Sequence, residues 1–210
     1  MQVYVFGDSI TQGFHDLASG GWCNRIAIEL MRREVETNYD EDHAVFNLGI
    51  SGDTSDGVVG RIEPELAARG SSRERLLLVA IGINDACYNE TSGACRVPLP
   101  RHRENLEHIS AVGQAQCDHV AFVSLLPIVE SLLTPIPWAG NLSLTDALRA
   151  QYDAVLREVA SAHGHTLIDV ADVFPADTAF LPDGIHPNAA GHERISRRVL
   201  EFLEAAELLK

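Results

Sequence analysis

Apolar and polar positions alternate along the chain in two recurring rhythms. Short β-branched or leucine-rich runs at residues 2–6 (QVYVF), 43–48 (HAVFNL), 75–81 (RLLLVAI), 119–126 (HVAFVSLL) and 165–170 (HTLIDV) have the length and composition of strands. The run at 75–81 is almost continuously apolar, as a parallel strand buried on both faces must be. Between these runs the apolar period lengthens to that of a helix. It does so over 21–37 (Trp22, Ile26, Leu30 and Met31), over 54–69 with Pro64 inside, and over 100–116 (Leu106, Ile109 and Val112). It does so again over 144–163 (Leu148, Tyr152, Val155, Leu156 and Val159) and over 189–208 (Ile195, Val199, Leu200, Phe202 and Leu203). Strands alternating with helices predict a five-stranded parallel sheet with helices on both faces, an α/β/α fold. With no repeat, low-complexity tract or linker in 210 residues, a single domain over 1–210 is expected.

Two stretches break the alternation: 86–99 (ACYNETSGACRVPL) and 127–143 (PIVESLLTPIPWAGNLS). Both follow strand patterns, on the rim where open α/β sheets bind ligands, and long loops in compact domains are often functional. Tyr88 in the first is a candidate substrate contact. Leu132, Leu133, Ile136, Pro137 and Trp138 in the second serve either as a small satellite core or as a wall for an acyl or aryl group.

Charge narrows the partners. A formal net charge of −14 disfavours nucleic acid and anionic membrane surfaces. No apolar run approaches the ~20 residues of a membrane helix and no secretory leader pattern is visible, so a soluble, cytoplasmic protein is expected. The four cysteines, Cys23, Cys87, Cys95 and Cys117, lack metal-ligand spacing. Cys23 and Cys117 fall in helical patterns as small core residues, and Cys87 and Cys95 are close enough in sequence for a local disulfide. No cofactor or metal is called for.

The polar residues after each strand carry the chemistry. Strand one ends in Gly7-Asp8-Ser9, strand two in a stretch holding Gly49 and Gly52, and strand three in Gly82-Ile83-Asn84-Asp85. Pro182-Asp183-Gly184-Ile185-His186 precedes the last helix. In a parallel sheet these segments converge on one edge. A serine hydroxyl needs a base, which His186 can supply, and the imidazole needs an acceptor on its other nitrogen, which Asp183 can supply. The oxyanion formed on attack needs donors, and the Ser9 and Gly52 backbone N–H groups and the Asn84 amide can provide them. Asp8 and Asp85 read as structural residues of their turns. His15 and Asp16 are placed to line the entrance, and His163, His165 and His192 read as solvent-facing or capping.

Four blocks, "FGDSIT", "NLGISGDTS", "IGINDA" and "PDGIHPN", in this order resemble the GDSL esterase/lipase family, the SGNH hydrolases. The resemblance spans nearly the whole chain, with Ile10 where the family name has leucine. It implies a flavodoxin-like α/β/α fold and metal-independent hydrolysis of a small-molecule carboxylic ester or thioester. It implies Ser9 as nucleophile, His186 and Asp183 as base and orienter, and Gly52, chosen over Gly49 by the "SGDTS" match, with Asn84 as oxyanion donors. An acyltransferase, or a non-catalytic binder of acylated ligands, on the same fold is the alternative.

Overall fold

A computed structural model describes residues 1–40, 42–70 and 73–209. Five parallel strands form the central sheet: β1 (Gln2–Gly7), β2 (Ala44–Gly49), β3 (Arg75–Ala80), β5 (His119–Val123) and β7 (Thr166–Ile168), in the order β2-β1-β3-β5-β7. A separate antiparallel pair, β4 (Tyr88–Asn89) and β6 (Leu142–Ser143), joins the two irregular stretches to each other. The helices are α1 (Ser9–Gln12), α2 (Trp22–Glu36), α3 (Ser55–Ala68), α4 (Leu99–Gln116), α5 (Asp146–Ala162) and α6 (Ala189–Ala205).

The two-residue period of a strand decides the layers. On β1, Val3 and Val5 face α2 and α6 in a core with Ile26, Leu30, Ile195 and Val199. Tyr4 and Phe6 face the other way, onto α3, α4 and α5 with Ile62, Leu66, Leu106 and Leu156. A third cluster, including Ile83, Leu125, Leu133, Ile136 and Leu144, closes over the carboxyl edge of the sheet.

Sheet register levels that edge. Gly7 pairs with Gly49 of β2 and with Ala80 of β3, so the chain leaves three adjacent strands at one height. Polar segments that follow those strands therefore start within a strand spacing or two of each other.

Several expectations need correction. Strand 119–126 stops at Val123: the Ser124 N–H still bonds Ile168 O of β7 at 3.1 Å, but the Leu125 N–H turns to Asp153 Oδ1 at 2.8 Å, although Leu125 and Leu126 stay buried. Strand 165–170 is only Thr166–Ile168, and the last helix ends at Ala205 rather than 208. Met31, placed by periodicity on the apolar stripe of α2, is 62% exposed. Cys117 is the half-buried cap of α4, not a core residue within it. Cys87 and Cys95 are free thiols, held across from each other only by backbone, and burial pushes the Cys87 thiol up to about 12.

Candidate active site

Ser9 opens α1, immediately after β1, and Gly7 explains how so abrupt a turn is possible. A Cβ at Gly7 would lie 2.1 Å from Thr11 Oγ1 and 2.6 Å from Ala80 O, so only glycine lets α1 fold back against the sheet. Asp8 caps the turn by accepting the Ile10 N–H at 2.9 Å. It is almost wholly buried, and burial pushes its carboxyl up to about 7 against that hydrogen bond.

From this platform the Ser9 hydroxyl reaches His186 Nε2 at 2.8 Å, and His186 Nδ1 reaches Asp183 Oδ2 at 2.6 Å. An ionised carboxylate only accepts, so Nδ1 carries the proton and Nε2 is left to accept from Ser9 Oγ. The other Asp183 oxygen takes the backbone N–H groups of Ile185 (3.1 Å) and His186 (2.8 Å). Burial raises the Asp183 pKa, but the His186 ring N–H and those backbone donors outweigh it and leave the carboxyl below its ordinary value. The turn that holds the acid thus also fixes the ring.

The second and third polar blocks are tied to each other rather than to this relay. Asn84 gives one amide hydrogen to Asp53 O at 2.9 Å, leaving its other hydrogen unused by that bond. Gly52 has φ of +75°, and a Cβ there would meet nothing within 4 Å, so the backbone conformation is what demands glycine. Gly49 is different: a Cβ would strike Gln12 N at 2.4 Å, which makes it a packing position. Below both blocks lies a fully buried junction. Asp85 accepts the Ser55 N–H at 3.0 Å, the Ser55 hydroxyl, and a hydrogen bond from His102 Nδ1 at 2.9 Å. Asp85 is therefore structural: it anchors the start of α3 beneath Gly52 to the loop that carries Asn84.

Ser9, Gly52, Asn84 and His186 together line a cavity of about 220 Å³. Ile136, Trp138 and Leu142 supply apolar wall, and Arg96 and Cys87 also line it. A neighbouring hollow of about 430 Å³ is bounded by Phe14, His15, Trp138, Asp183 and His186. The half-exposed Trp138 stands between the two, its ring 5.9 Å from His186.

The remaining candidates divide. Leu133 is fully buried in the third cluster and Tyr88 is held in the β4–β6 pair, and neither lines the cavity. Stretch 127–143 thus divides, Leu133 packing in the third cluster and Trp138 and Leu142 lining the cavity. His15 reaches the rim, whereas Asp16 turns inward, accepting from Ala18, Ser19 and Gly21 N–H and from Arg25. Burial acts to raise its pKa, but Arg25 and these N–H groups hold it down at about 2.

Of the two expectations for His192, solvent-facing or capping, the first fails: the ring is fully buried. Its Nδ1 accepts the Trp22 N–H at 3.2 Å, so Nε2 carries the hydrogen and donates to Phe14 O at 3.0 Å. Burial lowers its pKa, in keeping with this neutral form. It pins residue 14, whose ring packs edge-on against His186 at 4.8 Å. A histidine one turn into a helix carries no local sign of such a bridge.

Among the described residues, His15, Asp183 and His186 offer metal-ligand atoms within 4.8 Å of one another. Asp183 Oδ2 and His186 Nδ1 are only 2.6 Å apart, bonded through a proton. Ligands on a tetrahedral zinc with bonds of about 2.0–2.2 Å stand farther apart than that, so the pair fits a hydrogen bond better than an ion. No helix among the described residues is long and apolar enough to cross a membrane.

An α/β/α fold with a hydroxyl, an imidazole and a carboxylate in series at its strand ends is the layout of a carboxylic ester hydrolase. The chain belongs to the GDSL-like lipase/acylhydrolase family, whose family model matches residues 5–194. No curated protein sequence matches it. Among solved structures it resembles the lipase/acylhydrolase from Enterococcus faecalis (24% identity, TM-score 0.71, covering 98% of this chain and 96% of that one). It also resembles LAE5, an alpha/beta hydrolase enzyme from the metagenome of Lake Arreo, Spain (22%, TM-score 0.70, 100% and 96%). A third is Axe2, an acetylxylan esterase from Geobacillus stearothermophilus (18%, TM-score 0.69, 95% and 92%).

Proposed function

We propose that the protein cleaves carboxylic esters or thioesters through an acyl-enzyme formed on Ser9. The observation that carries this reading is the Ser9–His186–Asp183 series at 2.8 and 2.6 Å, open to a cavity that Gly52 and Asn84 also line. Ser9 Oγ attacks the carbonyl carbon as its proton passes to His186 Nε2. The carbonyl oxygen becomes an oxyanion and is held by the Ser9 and Gly52 N–H groups and the Asn84 amide. Collapse breaks the bond to the leaving alcohol or thiol, which takes the proton from His186. A water then repeats the sequence on the acyl-enzyme and regenerates Ser9. Asp183 stays ionised throughout, holding the ring and stabilising the imidazolium.

The apolar wall of Ile136, Trp138 and Leu142 favours a short or medium acyl chain, and with the acetylxylan esterase likeness it points to small acyl groups. Hydrolysis of a p-nitrophenyl ester series from acetate to palmitate, with EDTA present, tests this. Ser9→Ala is expected to lower kcat by ~10⁴–10⁶. A variant keeping a tenth of the rate removes Ser9 from the role of nucleophile.

A further inference from the structure

We infer that Arg96 selects acyl groups ending in a carboxylate, so that the preferred substrates are half-esters of short dicarboxylic acids. The inference rests on the reading of Ser9 as nucleophile, because it depends on which cavity takes the acyl part.

The chain carries 30 acidic against 16 basic residues, and arginines elsewhere, such as Arg25, Arg61 and Arg157, sit on carboxylates. Arg96 does not. Its guanidinium makes one hydrogen bond, to Gly52 O at 3.0 Å, and no ion pair among the described residues. Its backbone is fixed: the Arg96 N–H bonds Cys87 O at 2.8 Å, and the next residue, Val97, is buried and takes the Tyr152 hydroxyl on its carbonyl at 2.5 Å. The cation is therefore presented from a backbone bend braced on both sides.

Arg96 lines the 220 Å³ cavity with Ser9, Gly52 and Asn84, and no Asp or Glu lines it. The neighbouring hollow, by contrast, holds Asp183 and lacks Ser9, Gly52 and Asn84. His186 lines both spaces, so an alcohol departing into the neighbouring hollow can still collect its proton from it. The acyl chain then runs into the cavity of the oxyanion donors. There it finds apolar wall and a guanidinium, the group whose planar fork fits a carboxylate. An anion on the alcohol would instead face the Asp183 carboxylate.

Monoethyl glutarate and ethyl pentanoate have five-carbon acyl chains that differ by a terminal carboxylate. Their hydrolysis, followed by proton release, gives a kcat/KM ratio in which any general loss of activity cancels. Arg96 is exposed, so its contribution is that of a partly solvated pair. The ratio is expected to fall about three- to tenfold in Arg96→Gln, to be largely kept in Arg96→Lys, and to shrink in 0.5 M salt. A ratio unchanged in Arg96→Gln overturns the inference, as does equal loss on both esters, which would make Arg96 a brace for Gly52. So does a wild type that cleaves only the neutral ester, or neither. Activity on ethyl pentanoate that survives Ser9→Ala would instead overturn the underlying reading.

Discussion

Asp183→Asn separates orientation from structure within one side chain. The asparagine has one carbonyl oxygen to serve two duties. With that oxygen on the backbone side, the Ile185 and His186 N–H bonds survive and the amide NH₂ faces His186 Nδ1. Turned over, it keeps the ring N–H bond but sets its own NH₂ against two backbone donors. Two neutral hydrogen bonds against one, each ~1 kcal/mol, favour the first orientation. The ring must then accept at Nδ1 and carry its proton on Nε2, pointing at Ser9 Oγ, where it cannot act as base. The same tautomer error in the trypsin triad costs ~10⁴ in kcat, a barrier rise of about 5 kcal/mol, and that magnitude is expected here. Since the turn keeps both backbone bonds, the melting temperature is expected to stay within a few degrees of wild type.

Single-turnover acylation and a thermal melt on the same preparation read both halves. An asparagine variant above a tenth of wild-type activity refutes the tautomer argument. Loss of activity accompanied by unfolding refutes the claim that the backbone bonds survive. Acid mimics the substitution. Because the folded pKa of Asp183 is lowered, its contribution to stability is complete above its unfolded value near 3.8. That contribution is lost as pH falls through the lower folded value.

Asn84→Ala is expected to lower kcat roughly 10²–10³-fold with little change in KM, and a pure KM effect in steady-state kinetics would make it a binding residue instead. Asp8 has the opposite sign to Asp183. Its folded pKa near 7 exceeds 3.8, so the folded state binds the extra proton and stability declines as pH rises from about 4 to 7, by on the order of 4 kcal/mol. Asp8→Asn keeps the cap and removes this slope, so denaturant unfolding is expected to find it more stable than wild type at pH 8 and equal to it at pH 4. Asp85→Ala strands the Ser55 and His102 donors in the core and is expected to cost about 3–5 kcal/mol in urea melts.

What the sequence discloses is what repeats or clusters locally. The five central strands announce themselves through β-branched runs, and the site through polar residues that interrupt such runs in the same way after each strand. Contacts between distant segments leave no such trace. β4 and β6 are two residues each, shorter than any alternation can register, yet they join the two irregular stretches that line the cavity. Leu133 and Trp138 look alike as apolar loop residues. Only the packing of Leu133 among Ile83 and Leu144 separates core from wall. "HVAFVSLL" reads as one strand because Leu125 and Leu126 are buried. Leu125 is buried in the cluster above the sheet edge and Leu126 in the core under α2 and α6, and periodicity does not tell such burial from that of a strand.

The site is built from two independently braced halves, and this bears on how it can be perturbed. Asp183 and His186 share one turn, closed by Asp183's own bonds to backbone N–H. Gly52 and Asn84 share another support, in which Asp53 O holds the Asn84 amide and the Asp85–Ser55–His102 junction ties their loops together. Ser9 stands between them on α1, bonded across to His186 and capped by Asp8. Each half therefore keeps its geometry when a reacting group on the other is removed. Losses from Ser9→Ala and Asn84→Ala should then each be accountable to one missing group. Asp85→Ala alone, by loosening the support under both Gly52 and Asn84, should lower kcat and stability together.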